Sequence, residues 1–219
     1  MIMICHALRY TLYTRRLKEI IDSGAIGEIV SIEHLEPIAF WHCAHAWVRG
    51  PWRRESDSAP LLMTKSCHDI DWLSFIVGRP ARRVSSFGSL YGFTHDRRPA
   101  EATDRCLDCP LRKSCAYSAP EFYLPLVEKP RGLETWLQHM TEDTTTEGVT
   151  KALRETSSGL CVWGSDNDVV DHQVVNIEYE GGVTASFTMT AFNEGAFQKD
   201  SNLWDEGVPR HGLFNDRAL

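Results

Sequence analysis

The stretch HQVVNIEYEGGVTASFTMTAF, residues 172–192, constrains the fold more than any other part of the sequence. Apolar residues alternate on both sides of two glycines, as expected for two strands that each bury one face. A two-residue loop would pair Glu180 with Val183 and leave the apolar residues on opposite faces. A three-residue loop of residues 180–182 pairs Tyr179 with Val183 and aligns the apolar faces. We therefore expect an antiparallel hairpin with this second register.

Composition limits the classes of protein that the chain can represent. Its 219 residues, 42% hydrophobic and 24% charged, are typical of a soluble globular chain with room for a core. The net charge of −7 argues against general binding of nucleic acid. No apolar run approaches the ~20 residues that span a membrane, and the start MIMICHALRY lacks the features of a signal peptide. Seven cysteines, an odd number, suit a reducing compartment, and we expect a cytoplasmic protein.

Residues 58–78 predict one helix that carries reactive side chains. Ser58 can cap it, Pro60 suits its first turn, and Gly78 ends it. One face of this helix is too polar for a plain core and too aromatic for a plain surface, so we expect that face to form the wall of a pocket. A histidine there is a candidate general acid or base, and the alternative is a ring hydrogen-bonded for packing alone. Helical spacing places four residues on this face: Lys65, His68, Asp69 and Trp72.

The stretches on either side of residue 40 offer a second group of candidates. Residues 26–40 predict a strand on which Val30 and Ile32 give way to His34 and Glu36, which marks either a strand entering a pocket or a strand end in solvent. The loop FWHCAHAWVRGPWRR, residues 40–54, combines cations with three tryptophans and suits a polar, sugar-like or anionic small molecule. An aromatic loop packed over a sheet edge is the alternative. Its candidate substrate contacts are His42, His45 and Arg49.

Two further stretches carry possible ligands. Cys106, Cys109 and Cys115 form C-x2-C-x5-C, so either a structural zinc or three free thiols in a reduced loop fits the spacing. Residues 166–173, DNDVVDHQ, suit a polar turn with capping aspartates, and His172 within them is a candidate substrate contact. No G-x-G-x-x-G, P-loop or G-x-S-x-G motif occurs in the sequence.

Six stretches, in order along the chain, resemble the glucose–fructose oxidoreductase and inositol dehydrogenase family (Gfo/Idh/MocA). The resemblance implies an α+β domain with an open, mostly antiparallel sheet and helices on one face. That domain belongs to enzymes that use NAD or NADP and act on sugar-like or polyol substrates, and its sheet often forms the interface of a homo-oligomer. The six stretches are HALRY, LKEIIDSGAIGEIVSIEH, HAWVRGPWRR, KSCHDIDWLSFIVGRP, RCLDCPLRKSCAYSA and DNDVVDHQVVNIEYEGGVTASFTMTAF.

The resemblance also implies roles for individual residues. His68 falls at the position of the family's catalytic histidine, which removes a hydroxyl proton as hydride leaves. The family often has an aspartate one turn earlier, where this chain has Thr64 followed by Lys65, so Lys65 is a second catalytic candidate. Further substrate contacts expected from the matching stretches are Arg9, Tyr10 and Asp69.

The same likeness predicts how the chain is divided. Residues 1–10 would be a remnant of the last Rossmann strand and the segment after it, 11–192 the substrate and dimerisation domain, and 193–219 an irregular tail. We then expect a chain truncated at both ends that lacks a cofactor domain and is inactive alone. The alternatives are a non-catalytic binding or assembly module and a zinc-stabilised structural domain.

Overall fold

Four strands form one open, mixed sheet in the computed structural model, which describes residues 6–129 and 132–194. The strands are β1 (Ser31–Ala39), β2 (Ala81–Ser89), β3 (His172–Tyr179) and β4 (Thr184–Asn193), in the order β1-β4-β3-β2. β1 pairs with β4 in parallel, and the other two pairings are antiparallel. The predicted α+β class and mostly antiparallel sheet are confirmed. Residues 1–5 of the predicted Rossmann remnant and the predicted tail beyond residue 194 lie outside the described residues.

The β3–β4 hairpin has the predicted three-residue loop. The Tyr179 backbone N–H donates to the Val183 carbonyl at 2.8 Å, and Val175 lies opposite Phe187. The apolar residues of both strands are buried on one face, since Tyr179 and Phe187 have no exposed surface. The loop can turn this tightly because Gly181 and the next glycine have φ angles of 81° and 86°.

The two faces of the sheet differ in chemistry. The inner face packs on the main hydrophobic core, to which Trp72, Leu73 and Ile76 contribute. On the outer face, the register aligns Leu35, Thr188, Val174 and Phe87 in one row across all four strands. The three apolar members of this row remain exposed, at 56% for Leu35, 38% for Val174 and 71% for Phe87.

The first helix, α1 (Leu12–Asp22), begins after Thr11 and ends before a turn at Gly24. The Thr11 side chain accepts from the backbone N–H of Thr14, and the chain turns at Gly24 with a φ angle of 73°. Its Thr14 hydroxyl accepts a hydrogen bond from the indole of Trp72 at 3.0 Å. This contact fixes α1 against the helix that carries Trp72.

The single helix predicted over residues 58–78 is wrong, because the structure has two. α3 (Leu61–Thr64) ends where the Lys65 N–H donates to the Leu61 carbonyl, and α4 (Cys67–Val77) begins after Ser66. Ser66 has a ψ of 7°, outside the usual α-helical range, so the two helices do not share one set of faces. α4 ends at Gly78, as predicted, with a φ angle of 67°.

The remaining helices form two groups. The short α2 (Phe40–Cys43) continues into a π-helical turn (Ala44–Val48) directly after β1. A second apolar cluster joins α5 (Ala119–Glu128), α6 (Glu134–Met140) and α7 (Thr146–Glu155) around Cys106 and Leu153. In the described residues, no helix has both the length and the apolar character needed to cross a membrane.

Candidate active site

An ion pair and a hydrogen bond connect the inner face of β1 to the start of α4. Lys65, in the break between α3 and α4, pairs with Glu36, and Asp69 pairs with His34 across 2.8 Å from Oδ1 to Nε2. Glu36 and His34 alternate along the strand, so both point to the helix side. Of the two alternatives for this strand, the structure shows side chains turned toward a helix and away from open solvent. We call these four residues the polar row.

The polar row lies against the apolar core. The His34 ring stacks on Trp72 with centroids 5.1 Å apart and on Phe187 at 5.7 Å. Asp69 is 3% exposed, and its Oδ2 atom has no hydrogen-bond partner among the described residues. A buried carboxylate oxygen without a partner is costly, so it is a candidate acceptor for a substrate hydroxyl or a water.

His68 does not share the face of the other three predicted residues. Its ring is exposed and contacts His6 edge-on, with centroids 5.5 Å apart. Lys65, Asp69 and Trp72 instead face β1. The prediction of one four-residue face is therefore corrected: the break at Ser66 and the 100° step per helical residue separate His68 from the polar row.

The residues around His68 include one further ion pair. Arg9 donates twice to Asp71, with both distances 2.6 Å, and its guanidinium lies 5.0 Å from the centre of the Phe75 ring. The hydrogen bond from Arg9 lowers the pKa of Asp71, so this carboxylate stays ionised at neutral pH. The guanidinium of Arg9 is thus already paired, and the neighbouring Tyr10 is 51% exposed.

His42 connects the tryptophan-rich segment of residues 40–54 to the polar row. Its ring lies among three tryptophans, Trp41, Trp47 and Trp136, at centroid distances of 5.5, 5.1 and 5.2 Å. Burial, and to a lesser extent the positive charge of Lys65, lowers the pKa of His42 to about 4. At neutral pH His42 is therefore an uncharged hydrogen-bonding group, and not the cation that the loop was expected to supply.

His45 and Arg49, two of the predicted substrate contacts, lie in the interior of the structure. The His45 ring stacks on Phe122 with centroids 4.0 Å apart, and burial lowers its pKa well below the usual value. Arg49 is fully buried, and its guanidinium donates to the Leu160 and Tyr117 carbonyls. Sequence gave no sign of this, because carbonyl partners 68 and 111 residues away leave no motif.

His172 also lies away from the polar row. It follows Asp171 at the start of β3, and the register places it on the outer face beside Thr190. Asp171 is 1% exposed and accepts from the backbone N–H groups of Tyr91 and Gly92 at 2.9 and 2.6 Å. The structure therefore separates His172 from the other substrate candidates by the thickness of the sheet, and the buried aspartate before it holds a turn.

The predicted zinc ligands do not assemble into a site. The Cys106 sulfur lies 3.3 Å from an Arg49 guanidinium nitrogen, a cation that opposes a metal ion. Burial raises the pKa of Cys115, which disfavours the thiolate that zinc requires. In the described part of the chain, a different trio brings three ligand atoms within 4.8 Å of one another: His6, Cys67 and His68. Zinc at Cys106, Cys109 and Cys115 is not supported.

Comparison with known proteins agrees with this fold. Residues 14–106 match the family model described as the GFO/IDH/MocA C-terminal domain. The Bacillus subtilis (strain 168) protein named "Putative oxidoreductase YteT" is 25% identical over 187 residues, which cover 83% of this chain and 41% of that protein. The resemblance to the Gfo/Idh/MocA family is therefore confirmed, and it lies in the C-terminal domain of that family.

Two solved structures are among those to which this chain is similar. Levoglucosan dehydrogenase, in complex with NADH and levoglucosan, has a TM-score of 0.51 at 16% identity, over 89% of this chain and 35% of that one. The myo-inositol 2-dehydrogenase of Lactobacillus plantarum has a TM-score of 0.45 at 13% identity, over 88% and 36%. At this identity the first similarity establishes the fold alone. The chain spans about two fifths of the length of YteT and about a third of both dehydrogenases.

Proposed function

We propose that this chain supplies the substrate side of a nicotinamide-dependent oxidoreductase that acts on a sugar or polyol. The observation that carries the proposal is the start of α4, where the partly buried pairs Lys65–Glu36 and Asp69–His34 lie directly beside the exposed His68. Buried charges are costly to maintain, and they cluster at functional sites. The confirmed family resemblance and the named substrates of the two dehydrogenases support the reaction class.

Each group in this region has a role that suits a polyhydroxylated substrate. His68 is exposed, so its imidazole can reach a substrate hydroxyl and accept the proton released on oxidation. Lys65 and the unpartnered oxygen of Asp69 offer a donor and an acceptor for neighbouring hydroxyls. Around neutral His42, the indoles of Trp41 and Trp136 provide flat apolar surface of the kind that sugar rings pack against.

The residues present do not fit a dinucleotide. A bound NAD or NADP needs a strand, a glycine-rich turn and a helix N-terminus for its pyrophosphate, and the sequence has no G-x-G-x-x-G motif. When bound, such a cofactor accepts the hydride, so we assign its binding to a separate dinucleotide domain. Alone, this chain is expected to bind neither dinucleotide with micromolar affinity and to be inactive. Saturable quenching of its tryptophan fluorescence by NAD or NADP at low micromolar concentration would contradict that assignment.

The test is a fusion of this chain to the NADH-binding part of levoglucosan dehydrogenase, assayed with sugars and polyols in the presence of EDTA. His68→Ala should lower turnover by about 10²–10⁴-fold, the usual contribution of a positioned general base. Lys65→Ala should lower it as much if Lys65 assists the proton transfer, and less if it only binds substrate. The matched control is His95→Ala, because His95 is an exposed histidine in a distant turn.

An active fusion in which His68→Ala and His95→Ala turn over equally would contradict the catalytic assignment. A folded fusion that is inactive with every sugar and polyol would instead favour the alternative of a non-catalytic assembly module. We place the reaction in the cytoplasm, since the six cysteines of the described residues are all unpaired.

We further propose that two copies of the chain associate through the outer face of the sheet. The row that contains Leu35, Val174 and Phe87 exposes apolar side chains on an otherwise Ser- and Thr-rich surface. Phe87→Lys should shift the sedimentation coefficient to that of a monomer. Val84→Lys is the control, because Val84 is 60% exposed on the same strand but aligns with Ile177 on the opposite face. Equal sedimentation of both variants and the parent would exclude this interface.

A further inference from the structure

Three side chains with metal-binding atoms meet where the N-terminal segment reaches α4. Nitrogen atoms of His6 and His68 and the sulfur of Cys67 all lie within 4.8 Å of one another. His6 precedes the 3-10 turn Ala7–Tyr10, whereas Cys67 and His68 open α4 about sixty residues later. We propose that these three residues form a binding site for a divalent ion of the zinc class.

The donor set selects the kind of metal. Two imidazoles and one thiolate suit zinc and cobalt, whereas magnesium and calcium prefer oxygen ligands. In a tetrahedral zinc site with ordinary bond lengths, neighbouring ligand atoms are roughly 3.3–3.7 Å apart. The observed separations, none above 4.8 Å, need only small side-chain rotations to close around an ion. Three protein ligands also leave a fourth position for water or another small ligand.

An outer carboxylate supports the trio. The Asp71 Oδ1 atom lies 4.0 Å from Nε2 of His6, and the same carboxylate is fixed by two hydrogen bonds from Arg9. Metal-binding histidines usually donate their second ring N–H to such a carboxylate. The present 4.0 Å is longer than a hydrogen bond, so the His6 ring would have to move slightly toward Asp71 to make one. The positive charge of Arg9 is matched by Asp71, so it adds little repulsion toward an incoming ion.

Access from solvent is open at this site. The His6 side chain is 42% exposed, Cys67 is partly exposed and His68 is exposed. A bound ion would occupy the imidazole lone pair with which His68 accepts a proton in the proposed reaction. The fusion that carries a dinucleotide-binding domain should therefore be inhibited when this site is loaded with metal. The metal site itself does not depend on the proposed function, because it requires only the geometry of these side chains.

The experiment uses the full chain purified with a chelator and then freed of it. Titration with Co²⁺ should give a thiolate-to-cobalt charge-transfer band that saturates at one ion per chain, and Zn²⁺ should displace it. Cys67→Ser should abolish the band and His6→Ala should weaken binding strongly. Asp71→Asn should weaken it by about 10–100-fold, as loss of an outer-shell partner usually does. Thermal unfolding checks that each variant is folded.

Cys109→Ser is the matched control, since Cys109 is a partly exposed cysteine of the alternative zinc motif. A band that survives Cys67→Ser, one that is lost in Cys109→Ser, or a parent chain that binds no cobalt would overturn the inference. None of these readouts involves turnover. A failed metal site is therefore distinguishable from a failed catalytic assignment, which the EDTA-treated fusion tests separately.

Discussion

The Nζ atom of Lys65 lies 2.5 Å from Oε1 of Glu36, and less than a fifth of either side chain is exposed. The pair fastens the break between α3 and α4 to the inner face of β1. On that face, Glu36 lies beside the buried Met189 of the neighbouring strand β4. Because little water reaches either side chain, neither charge would be well solvated if its partner were removed.

Removal of one partner should therefore destabilise the chain more than removal of both. A buried pair that loses one member typically costs about 3–5 kcal/mol, and partial exposure here reduces the expected cost of Lys65→Met or Glu36→Gln to about 2 kcal/mol. The double variant should recover at least half of that loss. Urea unfolding of the four proteins, read as a double-mutant cycle, measures the coupling.

Lys18→Met provides the reference for this cycle. Lys18 pairs with Asp22 across one turn of α1, at the surface, where such pairs contribute only about 0.3–0.5 kcal/mol. If Lys65→Met costs no more than Lys18→Met, the polar row does not hold the helix break in place.

Stability should fall as the pH is lowered from about 6.5 to about 4, because His42 must become protonated. Burial, and then the charge of Lys65, lowers the pKa of His42 in the folded chain to about 4, whereas the unfolded chain has the ordinary pKa of 6.5. Between these values only the unfolded state binds the proton, so the free energy of unfolding decreases as the pH decreases. The full effect is on the order of 3 kcal/mol.

His42→Gln tests this dependence, since glutamine keeps a hydrogen-bonding side chain but does not titrate. Urea midpoints between pH 4.5 and 7.5 should show a clearly shallower slope for His42→Gln than for the parent, and no change for the exposed His95→Gln. Asp71 and Asp166, whose pKa values are lowered by Arg9 and Arg53, also lose stabilisation on acidification. Their loss falls below about pH 4, outside this window. Equal slopes for His42→Gln and the parent would show that His42 is solvated in the folded chain.

The hairpin shows what the sequence can determine. Strand residues alternate with a period of two, so a shift of a strand by one residue would expose its buried side chains, such as Val175, Tyr179 or Phe187, to solvent. Only one loop length keeps the apolar sets on the same face, and that length is found. Helix α1 was predictable for a similar reason, because its Thr11 cap and the glycine at residue 24 are local signals.

The site was harder to predict because its contacts are long-range. The break at Ser66 has neither glycine nor proline, and it depends on Lys65 reaching a strand 29 residues earlier. His45 and Arg49 have the composition of a binding loop, yet they are buried by α5 and by backbone carbonyls from other elements. His6 offered no signal, since its partners on α4 come close only in the folded chain.

Arg49→Met should be among the most destabilising substitutions in the chain. The guanidinium is fully buried and donates to the Leu160 carbonyl at 2.7 Å and to the Tyr117 carbonyl. Methionine fills similar volume but leaves both acceptors unpaired, at about 1–3 kcal/mol each. Arg49→Lys should recover only part of the loss, because an ammonium group cannot reproduce the planar fork.

The control for that series is Arg16→Met, at an exposed i,i+3 pair with Glu19. Chemical denaturation should show little change for it. A cost for Arg49→Met as small as that for Arg16→Met would mean that the two carbonyls find water instead.

The hairpin loop should tolerate asparagine better than alanine at Gly182. This glycine has a φ angle of 86°, and an added Cβ would meet no atom within 4 Å, so backbone strain is the expected cost. A left-handed conformation costs an ordinary residue about 1–2 kcal/mol, and asparagine less. Gly182→Ala should therefore lower the free energy of unfolding by about 1 kcal/mol or slightly more, and Gly182→Asn by less than half of that.

At Gly164, where φ is not positive and the nearest atom to an added Cβ is 3.4 Å away, alanine should be neutral or stabilising. Urea unfolding of the three variants tests this conformation, because a Gly182→Ala as harmless as Gly164→Ala would contradict the positive φ of Gly182.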